Sequence, residues 1–556
     1  MEPRPDHAPP GTVILIDFEG TIEAEHSRNS TDVVLNPVPS SDPNDPLNWS
    51  LARKWGATLC ALFYTWSVCV SSSACYSVFV PIHEESGVSI AKLNEGTGYM
   101  YLLFGWALLF WIPLALTYGR RGVYLISLLG TAMMNVWAGY ATTNPTWIAT
   151  RILIGFFGAP CEALAGVTMA DIWFTHERGT YMGLFTLAMF GGTLGPVPAG
   201  FITDAMGWPW VLFWCAILNA VAFVTCFFAM EETMYFRQAN HPASGPLQKS
   251  ATIEADAETD AASQRYRKEA TIQTGPDANV PGEEHEKEIG TRGNADTNIS
   301  TSYGIKPYFR KLAPIAGRGG RPAHVLQKVV CSIQMLRFPP VVFAGFIYGC
   351  YMCWYAVVNA TLSIFFGSSP YNFAPSIVGL TYISEIIGSY LAGFCAGKLA
   401  DKLSILLTRR NGGIMEPEFR LWCFVGGCII APLGLLLFGV GYAHELSWVA
   451  LVFGMGMVGF VSPAAGSLAV SYVVDCYHEL RGEALITVVI IRNTINFGFN
   501  YGVTPWLENN GAQDMYITVA VLAFVTTASF LIMIKWGRQM RVRSGEAYWK
   551  YAKRHT

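Results

Sequence analysis

The sequence predicts an all-α membrane protein with twelve transmembrane helices in two six-helix bundles. Three observations carry this. The 556 residues are 52% hydrophobic, 13% aromatic and only 14% charged, against about one quarter charged in soluble proteins. Twelve runs are long and apolar enough to cross a ~30 Å hydrocarbon layer at 1.5 Å per helical residue. A long polar segment then splits those runs six and six.

In chain order, residues 1–54 form a tail and 55–236 a first bundle, with spans over 56–82, 98–116, 123–140, 147–170, 181–202 and 210–230. The tail has a short apolar patch, Val13 to Ile16 with Phe18, broken by Asp17. It lacks a basic region ahead of a cleavable apolar core, so it does not read as a signal peptide. Residues 237–338 form a linker rich in Glu, Asp, Lys, Ala and Thr, which buries too little surface to offset its ordering entropy and is expected to be largely disordered. The second bundle, 339–536, holds spans over 341–366, 377–399, 421–442, 448–474, 484–506 and 515–536, and 537–556 is a C-terminal tail.

With both tails placed in the cytoplasm, Lys92 is the only basic residue in an outside loop, which fits the positive-inside rule. The sequons at Asn29, Asn48, Asn298 and Asn359 then fall on the cytoplasmic side or within a span, where none is glycosylated. A net charge of −3, without a basic stripe, excludes a nucleic-acid partner. The thirteen cysteines lie mostly in apolar runs and read as small buried thiols. Cys350 and Cys353 form a lone CxxC without a second pair, so no metal site is expected. No HExxH, GxSxG or Walker loop is present, and DCYHELRGEAL at 475–485 reads as a solvated turn. The chain is therefore not expected to be an enzyme or to hold a cofactor.

Ionisable residues inside spans are costly and point to function. Arg151 and Glu162 stand eleven residues apart in span 4, close to three α-helical turns, so both are expected on one face with Gly155. Glu385 lies in span 8 and Arg492 in span 11. Either glutamate is a candidate proton carrier or a hydrogen-bonded packing group; Arg492 is either buried or snorkels to the interface. Asn493, Asn496 and Asn500 share a face by i, i+3, i+7 spacing, facing a cavity or another helix. Tyr348, Tyr351 and Tyr355, ending near Asn359, form a stripe suited to cationic ligands or to core packing.

Five motifs in order carry a family resemblance from about Asp42 onward: DPNDPLNW before span 1, PLALTYGRR between spans 2 and 3, RILIGFFGAP in span 4, GGTLGPVPAG in span 5 and EETMY after span 6. The sequence resembles a major facilitator superfamily transporter of the fungal drug:proton antiporter type, near the polyamine and organic-cation branch. The resemblance implies a central cavity between two inverted-repeat bundles, a proton-coupling role for Arg151, and an antiporter motif at Gly191, Gly195, Pro196 and Gly200. Ala199 replaces one of that motif's glycines. Close packing of span 5 on span 8 is implied as well. Gly119, Arg120 and Arg121 match a cytoplasmic gate whose usual acid is replaced by Leu116, so the latch is expected mainly in the second repeat, at Asp401 with Lys402, Arg409 and Arg410.

The function expected is proton-coupled export of small organic molecules, drugs or secondary metabolites, by a monomer working by alternating access. The partners are then the substrate, protons and the lipid bilayer, in the plasma membrane or alternatively the vacuolar membrane. Uptake of polyamines or other organic cations is the alternative, followed by a membrane sensor that does not transport, and last an intramembrane enzyme.

Overall fold

The computed structural model describes residues 10, 13–14, 42–235, 325–411, 414–478 and 480–555. Residues 236–324, most of the expected linker, lie outside the described residues. The rest of that linker is helical: Val325–Gln334 packs on Leu108–Tyr118 and on span 11, where Thr487 Oγ1 donates to Ser332 O at 2.5 Å.

Ten helices among the described residues are long and apolar enough to cross a membrane. Two physical facts bring that number to twelve crossings. The run Arg481–Tyr551 has 71 residues, about 107 Å if straight, more than three bilayer cores, and it breaks at Gly511 (φ 73°, ψ 167°) into spans 11 and 12. Span 3, Arg120–Ala138, is 19 residues long and opens on two arginines, which lowers its hydropathy, yet Ile126, Leu129 and Met133 form an exposed apolar stripe. That stripe is the surface expected toward lipid, where apolar side chains lose nothing by exposure.

Four spans of the first half are broken helices. Span 1 runs Leu51–Ser73 and then turns through a 3-10 stretch, Ala74–Val78, into Phe79–Ser86. Span 2 is Ile90–Trp106 and Leu108–Tyr118, and span 4 is Asn144–Gly158, a 3-10 turn Ala159–Glu162 and Leu164–Ile172. Span 5 is Thr175–Phe190, a 3-10 turn Gly191–Leu194 and Pro196–Met206. Span 6 is Trp208–Ala229, unbroken. In the second half the helices are Pro339–Gly367, Pro375–Arg410, Phe424–Ala443 and Trp448–Cys476, followed by spans 11 and 12.

The halves meet chiefly through spans 2 and 11 and through spans 5 and 8. These pairings are equivalent: replacing each span by its counterpart in the other half, 2 by 8 and 11 by 5, turns the first into the second, as an internal six-helix repeat requires. Cross-half hydrogen bonds gather at the end away from the chain termini and seal it. Ser376 N donates to Asp204 Oδ2 (3.1 Å), Asn94 Nδ2 to Thr504 Oγ1 (2.9 Å) and Val80 N to Ser363 Oγ (3.4 Å).

Candidate functional site

Glycine makes both cross-half seams close. A Cβ on Gly98 would meet Asn500 Cβ at 3.0 Å, and one on Gly105 would meet Asn493 Cβ at 3.0 Å. On the other seam a Cβ on Gly379 would lie 2.7 Å from Pro196 O, and Gly200 sits directly on the Pro375 carbonyl. The helix breakers of span 5 are accommodated by span 1. Carbonyls that 3-10 turns and prolines release find donors there: Trp66 Nε1 to Gly191 O (3.1 Å), Ser73 Oγ to Gly192 O (2.6 Å) and Ser77 Oγ to Pro196 O (2.9 Å). Gly195 lies against Val70 O and Ser73 Oγ, so Gly191, Gly195, Pro196 and Gly200 serve two neighbours, spans 1 and 8.

At the centre, Arg492 Nη2 meets Glu162 Oε1 at 2.6 Å, joining span 11 to span 4 with both side chains buried. Arg492 stays in the interior instead of snorkelling. Its guanidinium lies 4.8 Å from the Tyr348 ring, and its Nε donates to Asn493 Oδ1 at 3.2 Å. Arg151 and Glu162 do not share a partner, contrary to the spacing argument. Eleven residues of continuous α-helix return to within about 20° of the starting direction. Four of them in the 3-10 turn Ala159–Glu162 add about 80° and swing Glu162 toward span 11.

Arg151 is 1% exposed and stacks 4.4 Å from the Trp147 ring, with Nη1 4.0 Å from Met100 Sδ. Its Nε and Nη2 have no partner among the described residues. Glu385 is fully buried, and neither carboxylate oxygen has a hydrogen-bond partner among the described residues. Tyr355 and Asn359 of span 7 approach it without an aligned hydrogen bond, Asn359 Nδ2 donating instead to Tyr355 O (2.9 Å). Tyr382 stands one turn before it, and Tyr76 and Tyr101, joined at 3.2 Å, lie within electrostatic range of Tyr355. Tyr355 of span 7 and Tyr382 of span 8 thus lie in electrostatic range of the carboxyl group, with Tyr76 and Tyr101 of spans 1 and 2 beyond them.

The span 7 stripe divides. Tyr348 and Tyr355 are about 20° apart around the helix and face the centre. Tyr351 lies about 60° off, against Gly427, and its hydroxyl accepts from Thr527 Oγ1 at 3.1 Å, so it packs inside the second half. The span 11 amides are buried on the seam with span 2; Asn500 Nδ2 donates to Asn496 Oδ1 at 3.1 Å. A groove of about 450 Å3 on another face of span 11, lined by Thr494, Ile495, Gly498, Phe499, Gly502 and Trp506, holds none of the charged residues.

Both repeats carry a charge cluster at the end bearing the termini, where a latch was expected mainly in the second. Gly119 adopts φ 123°, a conformation open to glycine, and starts span 3 so that Arg120 N and Arg121 N each donate to Glu232 at 3.0 Å. Arg120 also pairs with Asp171 (2.5 Å), so span 4 and the EETMY segment supply the acids that Leu116 does not. In the second repeat Asp401 pairs with Arg420 (3.2 Å), which also holds Asp475 (2.6 Å). Arg420, Asp475, Asp171, Glu232 and the tyrosines at 76, 101 and 382 were not singled out from sequence. Glu232 had a signal, since it lies in a quoted motif; Asp475 opens the stretch read as a solvated turn, yet it lies on span 10 and pairs with Arg420; the tyrosines had none, because three separate spans supply them. The twelve cysteines whose side chains are described are free thiols.

The model of the Major Facilitator Superfamily matches residues 57–496. An MFS-type transporter of Schizosaccharomyces pombe is 28% identical over 554 residues, covering 98% of this chain and 94% of that protein. Protein HOL1 of Saccharomyces cerevisiae is 28% identical, covering 94% and 92%, and efflux pump vrtL of Penicillium aethiopicum is 25% identical, covering 92% and 88%. Among solved structures, a POT family transporter in complex with 5-aminolevulinic acid aligns with a TM-score of 0.54 at 11% identity, over 87% of this chain and 96% of that one.

Proposed function

The chain belongs to the Major Facilitator Superfamily and is a membrane transporter, not an enzyme; within that family, we propose that it exports small organic cations in exchange for protons, by alternating access, across the plasma membrane with both termini cytoplasmic. The observation that carries this reading is Glu385, a buried carboxyl group without a hydrogen-bond partner among the described residues, with Tyr355 and Tyr382 beside it. An ionised carboxylate so placed costs several kcal/mol, and either a proton or a bound cation removes that cost. Tyrosine faces add cation–π attraction for an organic ammonium. One acid that takes a proton or a cation, but not both, exchanges them.

A one-for-one exchange with a monovalent cation moves no net charge. One pH unit, about 1.4 kcal/mol, then sustains about a tenfold substrate gradient. The Glu162–Arg492 pair and the glycine seams give the two halves a joint about which to rock. Relatives named as an efflux pump and as an antiporter support the outward direction.

Purified protein in vesicles with an imposed pH difference tests the proposal against a panel of drugs, polyamines and fungal metabolites. Cation accumulation in vesicles with an acid lumen is expected. Accumulation only under the opposite gradient turns the reading to uptake, and transport indifferent to pH ends it.

A further inference from the structure

The apolar patch near the start of the chain, which the transport cycle leaves unused, has a partner in the fold. Strand β1 (Val13–Ile14) pairs antiparallel with strand β2 (Ile414–Met415), in register Val13 to Met415 and Ile14 to Ile414. Three residues before β1, the Pro10 carbonyl accepts from Arg541 Nη1 at 2.5 Å, and Pro10 Cδ lies 3.6 Å from where a Cβ on Gly545 would stand. Pro10 is itself buried. A strand added to an exposed edge, with a second anchor at a fixed offset, is a recurring mode of peptide recognition.

The seat is built from the second half alone. Arg541, in the helix Phe530–His555, gives Nε and Nη2 to the two oxygens of Glu418, at 2.9 and 2.7 Å. That pair sits at the membrane-distal end, where arginine–carboxylate pairs are ordinarily exposed and contribute little. Here Arg541 is 0% exposed and the Glu418 side chain 5%. The Pro10 carbonyl accepts from one N–H of this buried arginine.

This seat and the gate share one stretch of chain. From β2 onward, alternate residues reach different partners: Glu416 pairs with Arg538 (3.5 Å), Glu418 with Arg541, and Arg420 with both Asp401 and Asp475. Asp401 lies toward the end of span 8 and Asp475 at the end of span 10, so Arg420 fixes those two helix ends together. Residue 14 precedes Asp42, which opens the described part of the first half, by 28 positions, whereas its strand partner Ile414 belongs to the second.

We infer that Pro10 and the strand Val13–Ile14 act as a peptide ligand built into the chain, docked on the second half at β2, Glu418 and Arg541, and that this docking orders the loop whose Arg420 ties span 8 to span 10. Docking of a short segment onto a loop is reversible, and its loss exposes a charged pair and an unpaired strand edge.

Hydrogen exchange of the full-length protein in detergent, followed by mass spectrometry, reads both halves of the inference without any substrate. Amides of residues 13–14 and of 414–423 are expected to be protected together. The double substitution Val13→Pro with Ile14→Pro removes whichever N–H the ladder uses, and should raise exchange of 414–423 about tenfold while leaving spans 1 to 6 unchanged. Arg541→Lys keeps a charge opposite Glu418 and gives up the planar fork that also reaches Pro10; it should deprotect residues 13–14. The inference is overturned if 13–14 exchange at the rate of an unstructured chain in the native sequence, or if 414–423 keeps its protection in the proline variant.

Discussion

Arg492 and Glu162 form a buried ion pair, 2.6 Å from Nη2 to Oε1, that links the two six-helix halves near the middle of their spans. Removing one member of such a pair leaves a buried charge alone and costs about 3–5 kcal/mol, whereas removing both is often close to neutral. Arg492→Met and Glu162→Gln should each lower the melting temperature in detergent. The double variant should recover most of the loss. Additive losses in that double-mutant cycle would show that the two side chains act separately.

Gly200 and Gly183 both belong to span 5 and differ in what surrounds them. Gly200 lies on the Pro375 carbonyl of span 8, whereas a Cβ on Gly183 meets nothing within 4 Å. Gly200→Ala therefore forces the 5–8 seam apart, with about 1–3 kcal/mol of overpacking, and should reduce transport sharply at unchanged membrane abundance. Gly183→Ala should leave transport as it is. Equal activity of the two variants would remove the seam from the transport cycle.

The fold was legible in the sequence because membrane spans announce themselves by length and hydropathy, as the run 341–366 within Pro339–Gly367 illustrates. The Gly200–Pro375 contact was legible too, through a motif and a missing side chain. Partners of the central charges were less so. Glu162 meets Arg492 because four residues adopt a 3-10 turn that helical spacing does not register. Tyr351 leaves the central stripe because a 60° offset suffices to face other helices. Arg420 and Asp475 lie 55 positions apart and meet through the packing of span 10, which no local pattern encodes. The apolar patch around Val13 was noticed, yet its partner strand, 400 positions later, has only two residues.

Glu385 as the shared acid makes a directional claim about pH. When protons and an organic cation compete for one carboxyl group, acidification raises the cation concentration needed for half-saturation, approaching about tenfold per pH unit once the proton holds the site. Glu385→Gln cannot ionise, so its weakened cation binding should be flat across the same range. Binding of a fluorescent cation to purified protein measures this directly. A native-like pH slope in the Gln variant would move the proton site elsewhere.

Arg151 is the remaining central charge, and its surroundings define what a substitution tests. The guanidinium stacks on Trp147 and keeps Nε and Nη2 unsatisfied among the described residues, donors that water, a ligand or another conformation can use. Arg151→Ala should reduce proton-driven transport about tenfold or more, at least 1.4 kcal/mol in the limiting barrier, while the protein still reaches the membrane. Arg151→Lys keeps the charge but loses the planar stack and the forked donors, so it should restore little. Melting temperature separates this from a packing role: removing a buried cation without an acid partner should leave stability unchanged or raise it. Full activity of Arg151→Ala would take the residue out of the mechanism, and full rescue by lysine would reduce its part to a point charge.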